Sequence, residues 1–182
     1  MKANYSYRYF VLTFLFVVFL LNLLIGVHQV NAQGSLILAA DMVRGSENPM
    51  GPVCALTSRY KQGEHVVWRV RIIDSSTGKA VPAPAEELLG QNPSKEDLAS
   101  MTKNINVVVH LSDGHIFPMH FGPHPSKKAA DYFWTTGWII PKNFPTGTLD
   151  YWITADWSAE GKAGRWEPFN VGYSKLTIEE KW

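Results

Sequence analysis

The chain has 182 residues, 46% of them apolar and 18% charged, with a formal net charge of +1. That is enough sequence for one ordinary hydrophobic core, and it lacks the concentrated Lys and Arg of a nucleic-acid binder. Cys54 is the single cysteine, so no intrachain disulfide braces the fold, which must rest on its core.

Lys2 and Arg8 precede an apolar run from Phe10 to Val27, and Val30-Asn31-Ala32 places short residues just before Gln33. This pattern predicts a secretory signal peptide over residues 1–32, removed after Ala32. The alternative is an uncleaved membrane anchor, since the run is long enough to span a bilayer when tilted. Either way residues 33–182 are exported, and removing Lys2 and Arg8 turns the formal +1 into −1. No Asn-x-Ser/Thr sequon occurs in residues 33–182, and a bacterial periplasm or cell surface fits that composition.

In chain order, Gly34–Val43 reads as a short apolar strand, followed by a polar loop over Arg44–Gly51. Pro52–Ser58 is a second short strand or edge segment in which Cys54 is expected to act as a small buried hydrophobe. Glu64–Asp74, EHVVWRVRIID, shows the clearest alternation. Val66, Trp68, Val70 and Ile72 share one face, the mark of a half-buried strand. The run stops at Asp74-Ser-Ser-Thr-Gly78-Lys79, whose residues tolerate tight turns. Val81–Thr102 is broken by Pro82, Pro84 and Asn92-Pro93. It reads as a long connection with one helical turn, and Ser94 with Asp97 forms a weak capping-box signal.

Ile105–His124 alternates, breaks at Ser112-Asp113-Gly114 and alternates again, which predicts a hairpin. It holds four of the six histidines, His110, His115, His120 and His124, together with Met119. A two-residue turn at Asp113-Gly114 would pair His110 with Phe117 and Val108 with Met119. His110, His115 and Met119 would then share the outer face. Val107, Val109, Leu111 and Ile116 would line the core, with His120 at the end of that inner face. Further on, Asp131–Ile140 is an aromatic strand, Thr148–Asp156 alternates, and Arg165–Val171 and Ser174–Glu179 close the chain.

About eight short strands with regular turn signals predict an all-β, two-sheet antiparallel sandwich in one domain over residues 33–182. Three stretches carry a resemblance: Gly63–Lys79, the Asn106–Gly114 run NVVVHLSDG, and PTGTLDYWITA from Pro145 to Ala155. Together they resemble a bacterial immunoglobulin-like sandwich. The resemblance implies that Tyr151 is the tyrosine that turns a corner into the core. The inter-sheet cysteine pair of such domains is missing, and the resemblance implies no particular chemistry.

Catalysis finds little support. Ser112, Asp113 and His115 are too close along one turn to converge as a triad. Asp156, Ser158 and Glu160 lack most of a calcium ligand set and read as solvated turn residues. The Trp-rich C-terminal third suggests a contact surface, since Tyr151 pointing inward sends Trp152 outward. Trp152, Trp157 and Trp166 are the candidate partner-binding residues. The expected function is therefore a non-enzymatic accessory or assembly subunit that contacts another exported protein, with no required cofactor. A copper-handling module is the alternative, with His110, His115 and Met119 as ligands and His120 or His124 in support, a set that suits Cu(I). A carbohydrate-binding module using the same exposed Trp residues is the weaker alternative.

Overall fold

The computed structural model describes residues 35–45, 55–124 and 129–181. The expected signal peptide, the Pro52–Cys54 stretch and Trp182 lie outside the described residues. No helix among those described is long and apolar enough to cross a membrane.

The described chain is mostly β-strand. In order come β1 (Leu36–Arg44), β2 (Ala55–Leu56), β3 (Arg59–Lys61), β4 (His65–Asp74) and β5 (Ala80–Val81). Helices α1 (Ala85–Gln91) and α2 (Lys95–Thr102) follow. Next are β6 (Ile105–Leu111), β7 (Ile116–Pro118), β8 (His120–His124) and β9 (Asp131–Ile139). Last come β10 (Gly147–Leu149), β11 (Tyr151–Trp157), β12 (Lys162–Trp166) and β13 (Leu176–Glu179). One sheet runs β2-β1-β4-β9-β8 with β5 also on β4, and a second runs β12-β11-β6-β7. Pairing within both is antiparallel. A third, small sheet runs β10-β13-β3, and there β13 pairs with β3 in parallel. Strands of two or three residues, such as β2, β3 and β5, are too short to show alternation, so the sequence pattern undercounts them.

The two large sheets face each other across one core. β4 supplies Val66, Trp68, Val70 and Ile72, all buried as its alternation requires, and β6 and β11 answer with Val107, Val109, Leu111 and Ile153. Trp68 stands at the centre, stacked on Phe117 at 5.5 Å and tilted against Tyr151 at 6.2 Å. Burying such rings is the largest single apolar contribution a small core can make. It substitutes here for the missing disulfide.

The connection between β5 and β6 holds two helices, not the single turn expected. The Ser94 and Asp97 signal is a full capping box: the Asp97 amide donates to Ser94 Oγ at 3.1 Å, and the Ser94 amide donates to Asp97 Oδ2 at 2.9 Å. The Ser94 hydroxyl, which donates to Asp97 Oδ2 at 2.8 Å, and then the Ser94 amide hold the Asp97 carboxyl below its ordinary range. Leu88 of α1 and Leu98 of α2 close over Tyr132 as a second, smaller cluster.

Two devices tie the first sheet to β12. Asp74, buried at the end of β4, accepts from the Ser76 amide (3.0 Å), Ser76 Oγ (2.8 Å), Thr77 Oγ1 (3.1 Å) and Lys162 Nζ (2.9 Å). Gly164 lies so close to β1 that a Cβ there would collide with the Leu36 carbonyl oxygen. Only glycine lets β12 come in that far.

Candidate functional site

The hairpin is present, but its register differs by one residue from the expected one. Val108 faces Pro118, Val109 faces Phe117 and His110 faces Ile116. The reason lies in the turn. The Gly114 amide donates to the Leu111 carbonyl at 3.0 Å, and the Leu111 amide donates to the His115 carbonyl at 2.9 Å. With Gly114 at φ 96°, this is a three-residue loop with glycine in the left-handed position, an established alternative to the two-residue turn. A slip of one residue moves every side chain of the second strand to the other face.

The consequences for the expected copper set are direct. Met119 lies in the core at 5% exposure, while His110 is on the outer face. Phe117 turns inward onto Trp68, and Ile116, expected in the core, is 60% exposed. Beyond Pro118 the chain leaves the second sheet for the first, with the Met119 amide still donating to the Val107 carbonyl at 2.8 Å. His120 and His124 therefore sit on β8, His120 opposite Thr135 and His124 opposite Asp131, with the His124 ring 5.1 Å from Phe133. Both are exposed, which corrects the inner placement of His120.

His115 is held elsewhere, its Nδ1 3.0 Å from Asp113 and its ring among Phe117, Trp138 and Phe144. Among the described residues no three His, Cys, Asp or Glu side chains come together as a metal site. The structure thus separates His110, His115, Met119, His120 and His124 instead of assembling them. Asp156 is a strand residue of β11, opposite Asn106 and Ala163, and not part of the turn. Ser158 and Glu160 are turn residues, where Ser158 Oγ donates to the Asn104 carbonyl at 3.3 Å and Glu160 lies 4.0 Å from Lys162.

His110 instead belongs to an aromatic group on the outer face of the second sheet. It lies opposite Trp152 on β11, its ring stacked there at 5.3 Å and 6°. Its Nε2 is 2.9 Å from Thr154 Oγ1. Arg165 reaches over from β12, its guanidinium 4.8 Å from the Trp152 ring. Burial first, and the Arg165 charge second, push the His110 pKa down and favour the neutral imidazole beside Thr154.

Of the three candidate Trp residues, only Trp152 faces outward. Trp157 and Trp166 pack against the main core. Trp157 lies under the Lys162 ammonium at 5.6 Å, and Trp166 lies 5.9 Å from Tyr151. The register explains this: Trp166 is opposite Ile153, an inward position, and Trp157 is in phase with Tyr151 along β11.

Several of the most exposed apolar groups were not among the sequence candidates. Between β12 and β13, Phe169 is 85%, Val171 54% and Tyr173 83% exposed, and Leu56 on β2 is 71% exposed. Expecting a strand through Val171 hid Phe169 and Val171. Pro168, Asn170 and Gly172 were the available signal, because aromatics set between such residues belong to a loop and not to a core face. Pro168 and Phe169 stand between two clefts. One, of about 440 Å³, is lined by Met42, Leu56, Tyr151, Trp166 and Tyr173 among others. The other, of about 460 Å³, includes Asp150, Trp152, Arg165, Glu167 and Lys175.

No protein-family model, curated protein or solved structure matches the chain.

Proposed function

We propose that this chain is an exported, non-enzymatic accessory or assembly subunit, an immunoglobulin-like sandwich that works by contact with another protein in the periplasm or at the cell surface. The fold reading draws support from strand order. β1-β4-β9-β8 in one sheet and β7-β6-β11-β12 in the other parallel the two-sheet Greek-key plan of such domains. Export rests on the apolar run from Phe10 to Val27 and the short residues at Val30-Asn31-Ala32.

The observation that carries the functional reading is the exposed ridge of Phe169, Val171 and Tyr173 after β12, where Phe169 shares a cleft with Trp152 and Arg165. Side chains this exposed contribute little to the core and cost solubility, so three of them in one short segment favour an interaction surface. Trp, Tyr and Arg are also the residues that dominate contact energetics. A sugar platform needs an open aromatic face, whereas Trp152 is engaged by His110 and Arg165. That favours a protein over a carbohydrate.

The test is affinity isolation of the full chain from its native source, alongside Trp152→Ala and Phe169→Asp variants. A partner recovered in stoichiometric amount with the parent chain and at least tenfold less with either variant is the expected result. Equal recovery with all three removes this surface from the function.

A further inference from the structure

We infer that the partner seated on this surface is a second copy of the same chain, an inference that rests on the protein-contact reading above. A two-fold contact uses one patch twice, so a patch that carries a projection must also carry a recess to receive it. This one does. The Phe169–Tyr173 loop projects, and clefts of about 440 and 460 Å³ lie on its two sides with Phe169 lining both. The first cleft, whose lining includes Met42, Leu56 and Trp166 together with Asp41, Thr57 and Ser58, offers an apolar wall to an aromatic ring of the kind the ridge presents.

Charge gives the second argument. The other cleft carries two cations and two anions: Lys175 Nζ is 2.7 Å from Asp150, and Arg165 is 3.1 Å from Glu167. Arg165, Glu167 and Asp150 are more than half exposed, so these pairs are open to exchange with a facing set. A patch of one sign would repel its own copy, while a strongly charged partner would meet no matching field here. An evenly mixed set does not repel its own copy, and a half-turn can set the Arg165–Glu167 pair of one copy against the Asp150–Lys175 pair of the other. The composition agrees with this, since aromatic residues and Arg are enriched in contact surfaces.

Sheet-to-sheet pairing is the competing way for two copies to meet, and the edges oppose it. β7 carries Pro118 and β8 carries Pro123, and proline cannot donate to a new ladder. The contact therefore runs through side chains.

The test uses the full chain with Tyr173→p-benzoylphenylalanine, a photo-crosslinking residue, made in two differently tagged versions in the same cells and irradiated intact. The expected result is a covalent pair carrying both tags, its yield falling at least tenfold when Phe169→Asp is added. Phe169 is exposed, so that variant is expected to keep the parent's thermal midpoint, measured alongside. A crosslink only to a different protein overturns the second-copy inference and leaves the protein-contact reading standing. No crosslink to any protein overturns both. A doubly tagged pair undiminished by Phe169→Asp also counts against this surface.

Discussion

At the scale of single residues, Asp74 and His110 make stability depend on pH in the same direction but in different windows. Lys162 and the Ser76 hydroxyl, followed by the Ser76 amide and Thr77, hold the Asp74 carboxyl far below its ordinary range against the cost of burial. A carboxyl with its folded pKa depressed stabilises fully above its unfolded value near 3.9, and that contribution is lost as pH falls further. His110 is depressed by burial and by Arg165, so folding opposes its protonation. Its contribution is complete above about pH 6.5 and declines below it. The urea midpoint of the parent chain should therefore fall in two steps on acidification, one beginning near pH 6.5 and one below about pH 4. Asp74→Asn should lower the midpoint at pH 7 and flatten only the second step, narrowing its gap to the parent in acid. Parallel profiles for the two proteins would show that the Asp74–Lys162 contact does not carry the acid dependence.

Elements show which parts of the molecule the sequence made legible. β4 was readable because Val66, Trp68, Val70 and Ile72 repeat at period two over ten residues, and only a half-buried strand explains that run. The capping box was readable because Ser94 and Asp97 satisfy each other locally. The hairpin was only half readable. Ser112-Asp113-Gly114 is compatible with a two-residue or a three-residue loop, and local chemistry does not choose between them. What chooses is tertiary: the observed register puts Phe117 on Trp68 and Met119 in the core, and no local signal contains that demand. The expected grouping of His110, His115 and Met119 came apart for the same reason, since the three share a face only in the other register. The Phe169 ridge was hidden differently, by extending strand character through residues that form a loop.

The capping box also yields a prediction at this scale. Ser94→Ala removes the Ser94 Oγ acceptor for the Asp97 amide and should cost about 1 kcal/mol in urea unfolding. Its effect should be concentrated in α2, with amide exchange faster at Leu98, which hydrogen-bonds to the Ser94 carbonyl at 3.1 Å. Unchanged exchange across α2 would mean that Leu98 burial holds the helix without its cap.

The whole molecule has to keep two open sheets from joining those of other molecules while leaving a contact surface free. Exposed strand edges are templates for indiscriminate pairing, and short edge strands and proline are established ways to blunt them. Both devices are present. β7 has three residues and carries Pro118, β8 carries Gly122-Pro123, and β2 has two residues. At the remaining edge, Gly164 allows β12 to lie against β1 instead of facing solvent. With strand pairing suppressed in this way, the Phe169 ridge offers a route to association that depends on side-chain shape and charge.

The two routes can be separated by experiment. Replacing Pro118 and Pro123 together by Thr restores two backbone donors on edge strands and should raise concentration-dependent light scattering, with a gain of cross-β signal. Phe169→Asp should leave that aggregation untouched. If the double proline variant stays as clear as the parent at the same concentration, the prolines do not guard the edges, and the short length of β7 and the twist of the sheets must protect them.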